Sequence, residues 1–185
     1  MEFKKITSPL TDEKVRNLKA GDNILISGEI YTARDAAHKK LIELLEKGRP
    51  WPVNLRGQII YYVGPTPAKP GQVIGSSGPT TSGRMDPYTP TMLKSGVKAV
   101  IGKGSRNQET RKAFQDYKGV YLAATGGAGA LLAKTIKEAE VVAYPELGPE
   151  AVRRLVVEDF PATVINDIYG NDLYEEGRRR YAREK

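Results

Sequence analysis

Residues 97–124 read VKAVIGKGSRNQETRKAFQDYKGVYLAA, and this segment sets the architecture expected for the whole chain. Short apolar runs at 97–101 and 120–124 flank a segment, 108–117, in which the spacing of apolar residues is typical of a helix. A strand, a helix and a second strand in this order form a parallel pair joined by a crossover helix. The segment therefore predicts an α/β fold.

The same alternation continues on both sides of this unit. Further apolar runs lie at 73–76 and 140–143, and helical patterns lie at about 87–95 and 128–137. Strands that alternate with helices in this way are typical of a parallel sheet. Together these segments predict a β-α-β-α-β-α-β series that forms a mostly parallel sheet with crossover helices.

The front half of the chain is richer in β-structure and less regular. It has predicted strands at 23–31 and 58–63 and predicted helices at about 11–18 and 34–47, while further strands are predicted at 155–157 and 163–165 and a terminal helix at 172–183. Neither an internal repeat nor a low-complexity segment divides the sequence. We therefore expect a single domain over residues 1–185, in which a β-rich layer joins an α/β layer.

Composition narrows the chemistry that the chain can carry out by itself. Its 185 residues include no cysteine and one histidine, His38. The absence of cysteine excludes a disulfide scaffold, a cysteine nucleophile and an iron–sulfur cluster bound wholly by this chain. A single histidine excludes a multi-histidine metal site, so we expect no metal ligand in the chain.

The net charge of +7 is unevenly distributed along the sequence. Residues 177–185 (GRRRYAREK) alone contribute +4, and we expect them to form a solvated basic helix or arm. Tyr181 is the only aromatic residue in this basic tail, whereas segments that bind nucleic acid interleave basic and aromatic side chains. The sequence shows neither a signal peptide nor an apolar segment long enough to span a membrane, which favours a cytoplasmic protein.

Several cations lie where a predicted strand gives way to a helix: Arg34, Arg84, Lys103 and Arg106. A helix N-terminus carries roughly half a positive charge, so a cation there is locally unfavourable. The repeated pattern suggests an anion that is absent from the sequence itself. Arginine grips a carboxylate through two parallel hydrogen bonds, and lysine adds a point charge. We therefore expect Arg34, Arg84 and Lys103 to hold a small polyanion.

A loop rich in glycine and hydroxyl groups, GSSGPTTSGR, occupies residues 75–84. It lacks the Gly-Lys-Ser/Thr ending of a phosphate-binding loop. Thr80 or Thr81 could act as a nucleophile or carry a proton, although a threonine hydroxyl is a poor base unless its neighbours activate it. His38 lies one helical turn after Arg34, where a structural and a functional role are both open.

Other polar residues near these loops fit structural roles. Ser105 begins an S-x-x-Q pattern, and we expect it to cap the helix that follows. We expect Asp86 to cap the helix predicted at about 87–95, with Pro87 at its first position. The glycines of TGGAG at 125–129 would allow either a ligand or a close contact between helix and sheet.

Six short blocks, in a fixed order, make the sequence recognisable. They are TARDAAHK (32–39), YYVGPTP (61–67), GPTTSGRMD (78–86), GKG (102–104), YPELGPEA (144–151) and VEDFPA (157–162). Over nearly its whole length the chain resembles the β subunit, or C-terminal domain, of class I fumarate hydratases and the closely related L-tartrate dehydratases. Six ordered blocks are more specific than any one of them, and GPTTSGRMD is the most distinctive.

This resemblance implies a swivelling β/β/α fold and an oxygen-sensitive 4Fe–4S cluster. The cluster would be held by three cysteines of a separate α subunit or N-terminal domain, so this chain would supply half of an active site within a hetero-oligomer. The resemblance also implies that Arg34, Arg84 and Lys103 bind the carboxylates of a dicarboxylate substrate. Thr80 would be the base that removes a proton from carbon, and Thr81 would add a hydrogen bond.

Three functions stay open at this point. The first is the reversible hydration of fumarate to (S)-malate, and the second is the dehydration of L-tartrate to oxaloacetate. Both need two carboxylate clamps and a proton carrier, so the sequence does not separate them. The third is a non-enzymatic module that binds a small anion, or binds nucleic acid through the basic tail.

Overall fold

Seven strands pair in one mixed sheet in the computed structural model, which describes residues 2–183. The strands are β1 (Phe3–Thr7), β2 (Asn23–Thr32), β3 (Ile59–Tyr61), β4 (Ala99–Gly102), β5 (Val120–Ala123), β6 (Ile136–Ala143) and β7 (Val152–Asn166). The α-helices in the same residues are α1 (Asp12–Arg16), α2 (Asp35–Glu46), α3 (Thr89–Lys94), α4 (Gln108–Asp116), α5 (Gly129–Lys134) and α6 (Leu173–Tyr181). Short 3-10 helices cover Ser82–Met85 and Pro145–Glu150.

Part of the sheet closes into a five-stranded ring. β2, β3, β4 and β5 follow one another in parallel. β7 is antiparallel to both β5 and β2 and closes the ring, so that Thr163 pairs with Ala123 on one side and with Asn23 on the other. β1 and β6 lie outside the ring, paired with β2 and β7 respectively.

The ring has an apolar face inside and another outside, as β3 illustrates. Ile59 and Tyr61 belong to the cluster that fills the ring, whereas Ile60 and Tyr62 belong to the cluster between the ring and its helices. Successive side chains of a strand point to opposite faces, so an unbroken apolar run is buried on both. Helices α2, α3 and α4 cover the outer face with side chains such as Leu41, Met92 and Phe114.

The central prediction is confirmed. β4 and β5 are parallel, with Ala99 opposite Val120, and α4 connects them. The helix predicted at 172–183 is α6; its basic residues 178–180 are exposed, as expected, whereas Leu173 and Tyr174 are half-buried against the outer apolar cluster. The last two residues of the basic tail lie outside the described residues. No helix among residues 2–183 is both long enough and apolar enough to cross a membrane.

The predicted strand at 73–76 is wrong. This segment forms a loop that folds back on Thr66, whose N–H donates to the carbonyl of Ser76 (3.0 Å) and whose Oγ1 accepts the N–H of the same residue (2.8 Å). Gly75 permits the close approach, because a Cβ there would lie 2.2 Å from the carbonyl oxygen of Thr66. Val73 remains 50% exposed, so its apolar character does not reflect burial in a sheet.

The strands near the C-terminus also differ from the prediction. Residues 140–143 belong to β6, which is antiparallel because it pairs with β7 rather than with the parallel strands. The runs at 155–157 and 163–165 are parts of one strand of 15 residues, β7, which is continuous because β6, β2 and β5 all pair with it. The sequence did not predict β1, since its side chains are mostly exposed.

Replacing Phe160 tests whether the apolar core lies inside the ring. Phe160 is fully buried in the ring, with its aromatic ring 5.2 Å from that of Tyr61. Phe160→Ala should lower the free energy of unfolding by about 3–5 kcal/mol, because it leaves a cavity. Phe3→Ala, at a residue that is 45% exposed, is the matched control and should change it by about 0.5 kcal/mol or less. Urea unfolding followed by circular dichroism measures both, and equal effects would contradict this core.

Candidate functional site

The residues expected to form a site converge on one rim of the ring. The parallel strands β2 to β5 end level with one another, since Thr32 pairs with Tyr61, Tyr61 with Ile101, and Gly102 with Ala123. The loops that leave these strands carry, in order, Arg34, Gly64, Lys103 and Gly126. The carboxyl ends of parallel strands are where α/β proteins bind ligands.

Arg34 occupies the position that caps the N-terminus of α2. Its Nη2 lies 3.4 Å from Oε1 of Glu150, and the other oxygen of that carboxylate accepts the N–H of Ala36 at 2.9 Å. Gly64 lets the guanidinium lie against the backbone, because a Cβ at this glycine would be 2.7 Å from Nη1 of Arg34. Arg34 is therefore held at the start of the helix by the loop that follows β6.

Arg84 reaches the same place from the 3-10 helix Ser82–Met85. Its Nε donates to Oδ1 of Asp35 at 3.0 Å, and its Nη2 lies 2.9 Å from Oδ2 of the same carboxylate. Asp35 Oδ2 is also 3.7 Å from Nη2 of Arg34. Two arginines and two carboxylates thus alternate along the rim, in the order Arg84, Asp35, Arg34 and Glu150.

This alternation corrects the reasoning that led from the cations to a missing anion. Arg34 and Arg84 find counter-charges within the chain, in Glu150 and Asp35. The two carboxylates offset the unfavourable positive charge at the N-terminus of α2. The role of Glu150 was not visible in the sequence, because this residue is far from Arg34 in the chain. Lys103 differs from both arginines: within residues 2–183 no carboxylate lies within ion-pair distance of its ammonium group.

Backbone hydrogen bonds attach the threonine loop beside Lys103. The N–H of Thr80 donates to the carbonyl of Tyr62 at 2.7 Å, and its carbonyl accepts the N–H of Lys103 at 3.2 Å. The N–H of Ser82 donates to the carbonyl of Lys103 at 2.8 Å, which leaves Thr81 opposite Lys103 in a short parallel bridge. The structure therefore brings both threonines to the same rim as the cations.

A glycine makes room for the threonine loop, and a second glycine lies against Lys103. A Cβ at Gly102 would lie 1.9 Å from Oγ of Ser82, so the end of β4 accepts the threonine loop only without a side chain. A Cβ at Gly126 would lie 3.4 Å from Cδ and 3.6 Å from Nζ of Lys103. The lysine side chain therefore lies beside Gly126, after β5, at an ordinary van der Waals distance.

Arg106 is buried and does not join the rim. Its Nε donates to Oδ1 of Asp86 at 2.6 Å, and its Nη2 donates to Oγ1 of Thr89 at 2.7 Å. Its guanidinium also packs over three aromatic rings. This residue is a core cation that ties the loop after β4 to the 3-10 helix Ser82–Met85.

Both predicted helix caps are wrong. Asn107, rather than Ser105, caps α4, since its Oδ1 accepts the N–H of Thr110 at 2.8 Å. Asp86 does not cap α3; its carboxylate binds Arg106 and accepts the N–H of Asn107 at 2.9 Å. Several side chains in these loops have the chemistry of a cap, and the packing of Arg106 decides which of them is used.

His38 makes a structural contact with the site. It is fully buried against the rings of Tyr62 and Tyr88, whose centroids are 5.4 and 5.7 Å from that of the imidazole. Its Nδ1 lies 2.8 Å from the carbonyl oxygen of Arg34, and because a carbonyl only accepts, Nδ1–H is the donor. Burial lowers the pKa of His38 to about 4. A neutral imidazole therefore anchors the peptide of Arg34.

Two residues of the rim, Asp35 and Glu150, were missed by sequence reasoning. Both lie inside recognisable blocks, TARDAAHK and YPELGPEA, but the predicted site was based on cations and hydroxyl groups rather than on carboxylates. The available signal was an acidic residue directly after Arg34, in the first turn of a predicted helix. Within residues 2–183 there is no group of three or more His, Asp or Glu side chains that could hold a metal ion.

We expect His38 to make folding stability depend on pH. Its pKa is about 6.5 in the unfolded chain and about 4 in the folded protein, so between these values only the unfolded chain takes up the proton. The free energy of unfolding should therefore fall by roughly 3 kcal/mol from this residue as the pH drops from 6.5 to 4. Urea unfolding over this range, in the wild type and in His38→Gln, measures the difference. The carboxylates titrate in both proteins, so identical acid slopes would contradict the prediction.

Three known proteins show which molecules the chain is similar to. The "Putative L(+)-tartrate dehydratase subunit beta" of Methanocaldococcus jannaschii is 44% identical over 177 residues, which is 92% of this chain and 91% of the relative. The "Putative fumarate hydratase class I" of Geobacillus stearothermophilus is 43% identical over 92% of this chain and 33% of the relative. The "Fumarate hydratase class I, anaerobic" of Escherichia coli is 42% identical over 82% of this chain and 28% of the relative.

The chain thus spans nearly all of the first relative and about a third of the two fumarate hydratases. The model of the family described as Fumarase C-terminus matches residues 3–177, which include all six sequence blocks and every residue of the rim. The resemblance inferred from those blocks is confirmed. This chain belongs to the Fumarase C-terminus family.

Proposed function

We propose that this chain supplies half of the active site of an iron–sulfur hydro-lyase that reversibly hydrates fumarate to (S)-malate. The observation that carries the proposal is that three cations and one threonine lie on a single rim: Arg34, Arg84, Lys103 and Thr80. The printed names of two similar proteins include fumarate hydratase, which supports this reaction over simple anion binding.

The rim has the groups that a dicarboxylate needs. Arg34 and Arg84 each retain N–H groups that no residue of the described chain accepts, and Lys103 has no carboxylate partner among residues 2–183. A hydrogen bond to a charged group contributes about 1.5–3 kcal/mol, so two clamps suffice to orient a small substrate. Because the internal carboxylates already hold the arginines, substrate binding costs little further ordering of these side chains.

Thr80 is the proposed proton carrier. Its peptide is held by Tyr62 and Lys103, so its side chain starts from a fixed point on the rim. During malate dehydration its oxygen would take the proton from the carbon next to a carboxylate, and it would return that proton during fumarate hydration. A threonine hydroxyl needs activation for this task, and neighbouring cations stabilise its alkoxide form. Thr81 is proposed to add a hydrogen bond to the substrate.

The residues of this chain do not fit an iron–sulfur cluster, because the sequence has no cysteine and no residue cluster suited to metal binding occurs within residues 2–183. We therefore propose that a cysteine-bearing α subunit binds a 4Fe–4S cluster and joins this chain in a hetero-oligomer. Two observations support the division: one relative is named subunit beta, and two others contain the matched region as about a third of a longer chain. The departure of the hydroxyl group is then chemistry of the partner.

The same proposal covers the organisation of the chain. Residues 1–185 would form one domain with the swivelling β/β/α fold, which is supported by the five-stranded ring and the helices on its outer face. The complex would work in the cytoplasm, and its ligand would be a dicarboxylate rather than nucleic acid.

A second candidate is the dehydration of L-tartrate. It is favoured by the relative named tartrate dehydratase subunit beta, which this chain covers over 91% of its length. Tartrate carries two carboxylates and also loses a proton and a hydroxyl group, so the same clamps and the same threonine would serve it. The discriminating contact would be with the second hydroxyl of tartrate.

Anaerobic co-expression of the chain with a cysteine-bearing partner tests the proposal. We expect the complex to convert fumarate and (S)-malate, and we expect this chain alone to convert neither. Turnover of tartrate in preference to malate would select the second candidate. Turnover by the purified single chain would overturn the divided site, and dicarboxylate binding without turnover by the complex would leave an anion-binding module.

Thr80 is the residue whose replacement should affect chemistry most directly. Loss of a general base typically costs ~10²–10⁴-fold, so Thr80→Ala should lower kcat by about that range. Affinity for a non-reacting dicarboxylate should change much less, because the clamps remain. Steady-state kinetics and inhibitor binding in the complex measure the two effects. Thr80→Ser keeps the hydroxyl and should retain more activity, while Thr81→Ala is the neighbouring control; a dead Thr81→Ala beside a normal Thr80→Ala would identify the other threonine as the base.

A further inference from the structure

We infer that Asp35 is a positioning residue that sets the orientation and separation of the two arginine clamps, and so selects the length of the dicarboxylate that binds. The inference rests on the proposed function, because it concerns the ligand of the same site. Asp35 is the one side chain of the described residues that contacts both Arg34 and Arg84 within ion-pair distance.

Asp35 binds Arg84 along one particular edge of its guanidinium. The carboxylate accepts from Nε at 3.0 Å, and its Oδ2 lies 2.9 Å from Nη2 as an ion pair without a hydrogen bond, so the side edge of the fork faces Asp35. The end edge, formed by Nη1 and the second N–H of Nη2, stays available for the carboxylate of a ligand. The Arg84 side chain is 52% exposed and no other side chain among residues 2–183 hydrogen-bonds to it, so Asp35 is what gives this guanidinium its direction.

The same carboxylate places Arg84 relative to Arg34. Oδ2 of Asp35 lies 3.7 Å from Nη2 of Arg34, and Oε1 of Glu150 lies 3.4 Å from that same nitrogen. Arg34 is further confined by the backbone at Gly64, where a Cβ would be 2.7 Å from Nη1. Arg34 is thus fixed from three sides, whereas the position of Arg84 relative to it depends on Asp35.

Asp35 is itself held by the start of α2 rather than by the arginines alone. It is the first residue of that helix, where negative charge is favourable. The next peptide donates its N–H to Oε2 of Glu150 at 2.9 Å, and the peptide before it accepts from the ring of His38 at 2.8 Å. A fixed carboxylate between two guanidinium groups determines how far apart their free edges are.

A fixed separation discriminates between dicarboxylates of different length. A ligand of the correct length uses both clamps, whereas a shorter or longer one leaves a clamp unpaired or has to bend. Specificity of this kind is a difference between affinities, and removing the spacer should reduce that difference as well as the affinity itself. A residue with a purely structural role would instead weaken all ligands by the same factor.

The test uses the complex of this chain with its cysteine-bearing partner and measures inhibition constants for malonate, succinate and glutarate. In the wild type we expect succinate, which matches the four carbons of fumarate, to bind most tightly. Asp35→Ala should raise the KM for fumarate and the inhibition constant of succinate at least about tenfold, with a smaller change in kcat. It should also reduce the preference for succinate over glutarate. Asp35→Glu keeps the charge on a longer arm and should shift the preference towards glutarate.

Three further variants make the outcome decisive. Asp35→Asn keeps the shape and an acceptor oxygen, so it replaces Asp35→Ala if circular dichroism shows that the alanine variant is unfolded. Asp116→Asn removes a carboxylate from an exposed pair with Lys112 (2.7 Å) at the far end of α4, and should change neither affinity nor preference. Arg84→Lys cannot reproduce the planar fork and should weaken all three inhibitors.

The outcomes separate this inference from the function on which it rests. If Arg84→Lys weakens binding but the Asp35 variants leave the length preference unchanged, or weaken all three inhibitors equally, Asp35 is not the spacer and the inference is overturned. If Arg84→Lys leaves every inhibition constant unchanged, the rim is not the dicarboxylate site and the proposed function fails with it.

Discussion

The double pairing of β7, with β2 on one side and β5 on the other, is the constraint on which the rest of this structure depends. In an open sheet, neighbouring strands lie ~4.8 Å apart, so β2 and β5 would be separated by roughly 14 Å. Because Thr163 pairs with both Asn23 and Ala123, β7 closes the four parallel strands into a five-stranded ring, and the loops after the parallel strands face one another across its rim. The candidate site residues lie on one rim because the sheet is closed.

The electrostatics of the rim are local rather than a consequence of net charge. Much of the net charge of +7 comes from the basic tail, whereas Arg34 and Arg84 are balanced by Glu150 and Asp35. An arginine already held by a carboxylate keeps its direction when a ligand arrives, so less reorganisation accompanies binding. Lys103 adds a cation without an internal partner in the described chain, beside the threonine loop. The two arginines and two carboxylates together carry no net charge, so Lys103 is the unbalanced cation that attracts an anion to a defined place on the rim.

A buried polar network behind the rim keeps its two main loops in register. Arg106, after β4, donates to Asp86 and Thr89, which both follow the segment that carries Arg84. The N–H of Asn107 adds a second contact to the same Asp86 carboxylate. Removing one partner of such a network leaves an uncompensated buried charge, which is strongly destabilising. The buried Arg106 thus stabilises the loops that carry Arg84 and Lys103, although it does not itself lie on the rim.

The sequence by itself determined the βαβ unit at residues 97–124, the helices on the outer face and the identity of the cations and hydroxyls of the rim, because apolar periodicity and recognisable blocks are local properties. Only the tertiary structure decided that β7 is one strand with three partners, that Asn107 rather than Ser105 caps α4, and that Arg106 is buried. It also supplied Glu150 as the counter-ion of Arg34, 116 residues away in the chain. Contacts of this kind depend on which distant segments the closed ring brings together, and no local sequence pattern specifies them.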